Sequence, residues 1–218
     1  MNYKRMAVFA VCALIFCTVL SAEDFAWSEC WKNYGGTVKE GDFIVNAGLG
    51  TSSFALEHQD YDAEYRLPYF EVSAEYAQKI WVLPFTFGGF FGYTRYGWKE
   101  RFEEYSYACN RDFFNFGALA NYHVQLPVEK LDVYSGLRLG VQIRHDNWDT
   151  KNIFGEKKDG SDTDGFFYCG YTLGASYYFT DMIGANLETG FPTFLKAGVS
   201  FKFYRVCTVP RRASGQKR

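Results

Sequence analysis

Three histidines, His58, His123 and His145, are the only side chains here whose ordinary pKa suits proton transfer near neutral pH. A hydrolytic site would need one of them beside a nucleophile and an orienting carboxylate. No H-x-S motif occurs, because His123 is followed by Val124-Gln125 and His145 by Asp146-Asn147. His58 and His145 read as solvated loop residues. Asp159-Gly-Ser-Asp162-Thr-Asp164-Gly165 approaches a calcium loop, but Gly160 breaks the D-x-D-x-D-G spacing and no glutamate closes it. A solvated turn is the better reading. Of the six cysteines, Cys30, Cys109, Cys169 and Cys207 lie beyond the first 22 residues, and none stands at CxxC spacing. Neither a zinc site nor a thioredoxin-like centre is suggested. No cofactor, metal or catalytic residue is expected.

The chemistry that does stand out is ionic. Glu71, Glu75, Glu188, Arg138, Arg144, Lys196, Lys202 and His123 each interrupt a run of alternating residues at a polar position. What those charges do depends on the elements that carry them. The clearest is Leu195-Lys-Ala-Gly-Val-Ser-Phe-Lys-Phe203, where Leu195, Ala197, Val199, Phe201 and Phe203 alternate with Lys196, Gly198, Ser200 and Lys202. Period-2 alternation over nine residues describes a strand with one apolar and one polar face.

The same pattern recurs along the chain. Strands are predicted over 42–53, 69–77, 85–96, 112–124, a stretch around 137–144, 166–179, 183–190 and 195–203. Leu56–Leu67, Trp98–Arg111 and Asp146–Gly165 read as long charged loops, and 127–132 and 180–182 as short turns. The count is even and the link lengths alternate, as in membrane barrels. The 17 Tyr, 22 Phe and 21 Gly, with mean hydropathy −0.23, suit such an all-β chain. No run is long and apolar enough for a membrane helix after the N-terminus, and 23 basic against 25 acidic residues give no nucleic-acid signal. At the N-terminus, Lys4-Arg5, an apolar core from Met6 to Leu20 and the small Ser21-Ala22 form a secretory signal over 1–22. Residues 23–41 read as a periplasmic lead-in, 42–203 as the barrel and 204–218 as a basic tail.

The expected fold is an all-β, eight-stranded antiparallel up-and-down transmembrane β-barrel. A secreted lipocalin-like carrier has the same strand number with the opposite polarity. The glycine-rich polar face belongs on the crowded concave side. The Phe- and Tyr-rich face, with Tyr76, Trp81, Tyr93, Trp98, Tyr122 and Trp148 near strand ends, belongs toward lipid as an aromatic girdle. On that polarity the eight charged residues share the lumen. They must pair, because an unpaired buried charge costs several kcal/mol. Glu188 with Lys196 or Lys202 is the expected pair, and the network is either a plug or a gate. Cys30 and Cys207 flank the two ends of the ring and are the favoured disulfide, the alternative being four free thiols.

The last strand resembles the C-terminal strand of bacterial outer-membrane barrels over Lys196 to Phe203. The resemblance makes Phe203 the residue read by the barrel-insertion machinery. The whole pattern over 42–203 resembles the small outer-membrane barrels of the OmpA, OmpX and OmpW type. That likeness implies the outer membrane of a diderm bacterium, contact with outer-membrane lipid, and a non-enzymatic structural or adhesin-like surface role with a host or environmental ligand at the loops. A narrow passive channel and a periplasmic lipid binder are the alternatives.

Overall fold

The computed structural model describes residues 37–53, 63–80, 83–101, 105–126, 128, 130–152 and 154–204. The expected signal segment, the lead-in before residue 37, Cys30, Cys207 and the tail after Tyr204 lie outside them. Strands run over β1 (Phe43–Ser52), β2 (Ala63–Arg66), β3 (Tyr69–Ile80), β4 (Leu83–Arg101), β5 (Tyr105–Gln125), β6 (Leu131–Asn152), β7 (Lys157–Tyr178), β8 (Ile183–Phe191) and β9 (Thr193–Phe203). All pair antiparallel. β9 returns to β1 in register from Phe43↔Phe203 to Thr51↔Leu195, which closes the ring. β2 and β3 both lie along β4, against Tyr96–Trp98 and Leu83–Tyr93. They are one stave interrupted at Leu67-Pro68, where proline has no N–H for the ladder. Leu67 still donates to the Arg95 carbonyl at 2.8 Å. The ring therefore has eight staves, and the expected all-β up-and-down barrel is observed.

The alternation sorts the faces. Leu137 and Leu139 are each 62% exposed on the outer wall, whereas Arg138 between them is 1% exposed in the lumen. Phe70, Tyr76, Phe87, Phe91, Phe116, Leu187, Val199 and Phe203 face outward in the same way, and Asn46, Glu71, Thr86, Asn115, Gln142 and Ser200 are buried inside.

Two of the three expected long loops are largely strand. β4 and β5 stay paired to Arg101↔Ser106, and β6 and β7 stay paired to Lys151↔Lys157. Only 153–156 link the second pair, with Gly155 at φ 85° in the turn. Alternation fails there because both faces of the ribbon meet solvent, as the exposure of nearly every residue from Lys157 to Phe167 shows. The backbone ladder needs no apolar face to continue. The staves on one side of the ring are thus about twice as long as β8, β9 and β1. Asp159–Gly165 is part of extended β7, not a turn.

Glycine on the lumen face makes room for rings. Tyr134 lies opposite Gly174, Tyr168 opposite Gly140 and Trp148 opposite Gly160. A Cβ on Gly174 would sit 2.4 Å from Tyr134 Cζ, and one on Gly160 2.3 Å from Trp148 Cζ2. Each ring covers the bare backbone beside it, a pairing that helps pin register. At the hairpin end Tyr168 and Trp148 join Phe90, Tyr96, Trp98, Cys109, Phe113 and Leu119 in an internal apolar cluster. Trp98 and Trp148 belong to this cluster, not to an outer girdle, because each has lumen parity on its strand. Replacing Gly174 by Ala should destabilise by about 1–3 kcal/mol through overpacking. Gly165→Ala, whose Cβ meets nothing nearer than 3.4 Å, should stay within about 0.5 kcal/mol of the parent. Urea midpoints of the two variants check the contrast, and equal midpoints would deny glycine this role.

Candidate functional site

The lumen is the site. Its polar residues fall in layers because inward positions recur every second residue and antiparallel register aligns them across staves. The middle layer is ionic. Glu71 on β3, Arg138 on β6, Glu188 on β8 and Lys196 on β9 converge from four staves. Arg138 Nη1 lies 2.7 Å from Glu71 Oε2, and Nη2 lies 2.5 Å from Glu188 Oε1. Lys196 Nζ lies 2.5 Å from Glu71 Oε1 and 3.2 Å from Glu188 Oε1. Two carboxylates and two cations balance. The remaining capacity is also filled: Arg138 Nε donates to Thr172 at 2.6 Å, and Tyr69 and Thr193 donate to Glu71 at 2.9 and 3.0 Å. Tyr134 donates to Glu188 at 3.2 Å, and the guanidinium lies 4.9 Å from the Phe90 ring centre. Full satisfaction is what makes four buried charges tolerable.

Nearer the start of β1 and the end of β9 lies a second layer of neutral and singly charged groups. Glu75 accepts hydrogen bonds from Thr86 at 2.5 Å, Asn121 at 2.9 Å and Asn46 at 3.1 Å. His123 stands between Thr86, 3.0 Å from Nε2, and Asp132, 3.0 Å from Nδ1. Asn46 also accepts from Ser200 at 2.6 Å and from Asn186 at 3.2 Å. An Asp–His–Thr series is the order of a nucleophilic triad, but Thr86 gives its proton to Glu75 and is wholly buried. The geometry supports anchoring, not nucleophilic attack.

The structure distributes the eight charges expected in the lumen among four places. Glu71, Arg138, Glu188 and Lys196 meet in one cluster. Glu75 and His123 share the layer beside it. Lys202 is not in reach of Glu188; it lies 4.4 Å from the Tyr178 ring centre and donates to the Thr37 carbonyl. Arg144 has lumen parity but does not join the ionic cluster. It is about one-third exposed, 3.6 Å from both Asp146 and Asp164. It lies six residues farther along β6 than Arg138, above the ionic layer. Asp132, Thr86, Asn46 and Tyr134 complete these layers without a charge pattern in the sequence to mark them. Asp132 sits within the stretch read as a turn, and neutral polar residues on a barrel's inner face carry no sequence signal of their own. Outside the strands, burial and then the charges of Asp181 and Asp42 raise the Tyr204 phenol above its ordinary range.

No protein-family model matches the sequence, and no curated protein matches it. Among solved structures, the barrel is similar to Ail, the attachment invasion locus protein of Yersinia pestis, in complex with the heparin analogue sucrose octasulfate. That likeness has a TM-score of 0.44 and 14% identity, and covers 76% of this chain and 100% of the other. The N-terminal β-barrel domain of Pseudomonas aeruginosa OprF follows at TM-score 0.37 and 16% identity, over 76% and 98% of the two chains. Neisserial surface protein A stands at 0.34 and 18%, over 74% and 94%.

The ionic layer makes its own forecast. Lys196→Met leaves two carboxylates to one guanidinium and should cost about 3–5 kcal/mol of unfolding free energy. Glu188→Gln combined with Lys196→Met restores neutrality and should fall short of the summed single losses by about 1–3 kcal/mol. Urea unfolding from lipid vesicles reads both, and additive losses would mean that the four charges do not act together.

Proposed function

We propose that the chain is an outer-membrane β-barrel of a diderm bacterium, non-enzymatic, with a closed lumen and a structural or surface-interaction role. One observation carries the reading: the charges are inside and the large apolar side chains are outside. A water-soluble barrel is built the other way round. A closed ring with an apolar wall is one of the two backbone solutions that survive in lipid, where no unpaired N–H or C=O finds water. The lumen, filled by ion pairs, offers a lipid no apolar cavity, which disfavours the carrier reading. Phe203 ends the closing strand beside Phe43, with ring centres 6.5 Å apart, a position open to the insertion machinery that the resemblance implies.

The tall ribbon supports the surface role. From Lys157 to Gly170, β7 pairs with β6 on one side, and β8 begins to pair only at Tyr171. A solvent-exposed sheet with an unpaired edge and mixed charge is suited to contacting a partner, host-derived or environmental. With an even stave count both chain ends fall on one side, the periplasmic one, and the ribbon on the other. An epitope inserted after Gly155 should be labelled on intact cells and a tag after Arg218 should not. Labelling of the tag alone would reverse the orientation and remove the surface role.

The second reading, a narrow passive channel, is tested separately. In planar bilayers the parent should show no stable conductance steps, because the ionic layer fills the cross-section. Regular single-channel steps from the parent would put the channel first.

A further inference from the structure

We propose that residues 37–42 form a strap across the mouth of the barrel at the end where β1 begins and β9 ends, sealing the lumen from the periplasm. The inference rests on the membrane reading only for which compartment the strap faces. β1 begins at Phe43, and β6 is four staves from β1 in either direction round the ring, on the opposite wall. Yet Thr37 Oγ1 donates to the carbonyl of Leu131, the first residue of β6, at 3.2 Å. The interior of a ring of this size is just filled by side chains, so the gap between the two walls is short. The chain that leads into the first strand has therefore passed beneath the lumen.

Each part of the strap is tied to a wall. Its Thr37 end is held twice, by the bond to Leu131 and by Lys202 of β9, whose ammonium donates to the Thr37 carbonyl. Val38 is buried against Ile44 of β1 and Ala77 of β3. The near end turns on itself: Lys39 N donates to Asp42 Oδ2 at 2.8 Å, and Asp42 N to the Lys39 carbonyl at 3.1 Å. Gly41, at φ 89°, then donates to the Ala77 carbonyl at 2.9 Å. Beside the strap, the Lys202 ammonium lies between the Tyr178 and Tyr204 rings, 4.4 and 5.1 Å from their centres. Strap, Lys202 and Tyr178 together occupy the mouth.

The ties differ from the wall in kind. The staves are joined by continuous ladders, whereas the far end of the strap hangs on one hydroxyl and one ammonium. Segments held by few bonds open at far lower free energy than the ladder they cover. What the strap covers is the layer of His123, Asp132, Thr86 and Glu75. His123 lies near the end of β5 that faces this mouth and is 3% exposed.

His123 reports on the seal directly. Purified, folded barrel in detergent is treated with diethyl pyrocarbonate, and carbethoxylation of each imidazole is read by peptide mass spectrometry. In the parent His145 should react and His123 should not. In a variant carrying Thr37→Gly, Val38→Ser and Lys39→Gly, His123 should react at least about tenfold faster, with His145 unchanged. A second variant, Thr37→Val with Lys202→Met, cuts both far ties while leaving every ladder bond, and should give the same rise. The heat-dependent shift in gel mobility of a closed barrel shows that each variant is folded, so loss of the barrel is read apart from loss of the seal. The proposal fails if His123 reacts as fast as His145 in the parent. It fails equally if His123 stays protected in a closed variant, or if neither variant closes, since the segment would then be wall and not strap.

Discussion

A sheet with an apolar outer face can persist in lipid only if no edge strand is left unpaired, since each stranded N–H or C=O there costs several kcal/mol. In this chain that condition is met by β1 pairing with β9, the first stave with the last. Everything else is conditional on that closure. It sets the diameter, which brings Glu71, Arg138, Glu188 and Lys196 from four separate staves to within 3.2 Å of their partners. It also fixes which parity faces inward, so the same two-residue period that exposes Leu137 buries Arg138.

Closure in turn makes the interior demanding. Eight staves leave a bore with no room for bulk water around a charge, so the two cations of the middle layer are met by carboxylates at contact distance. The chain solves this with a balanced quartet flanked by hydroxyl and amide donors. Above it the bore is filled by Phe90, Phe113, Tyr96, Trp98 and Tyr168, with the Arg111–Asp146 pair beside Trp98. Glycines opposite several of these rings let them lie flat on the wall. Polar below, ionic at mid-height and aromatic above, the filling matches what each level must exclude.

The two ends of the barrel are unequal for the same reason. Where β1 begins and β9 ends, the staves stop near the ring, and the mouth is crossed by the chain's own approach to β1. At the other end β4 to β7 continue well beyond β8, β9 and β1. From Lys157 to Phe167 nearly every side chain of β7 is exposed, and charge appears on both faces. The edge of β7 stays open there because water, unlike lipid, can serve its backbone groups.

How much of this was legible in the sequence follows from the range of the forces. The alternation at Leu195–Phe203 or Phe70–Tyr76 is local, since adjacent residues on a strand must point to opposite faces, so strand number, polarity and the ring could be read directly. The membership of Glu71, Arg138, Glu188 and Lys196 on one polar face was readable for the same reason. Their contact was not, because it depends on the stagger between staves 50 to 125 residues apart. The placement of Lys202 and Arg144 was also beyond local reading: parity gave each the lumen, but height along the stave set one at the mouth and the other above the ionic layer. The ribbons over 98–111 and 146–165 looked like loops because alternation ends where the apolar environment ends, while the hydrogen-bonded ladder, which side-chain pattern does not encode, runs on. Only the tertiary structure could decide those points, since each turns on where a residue lies along the barrel axis, and a two-residue period carries no information about height.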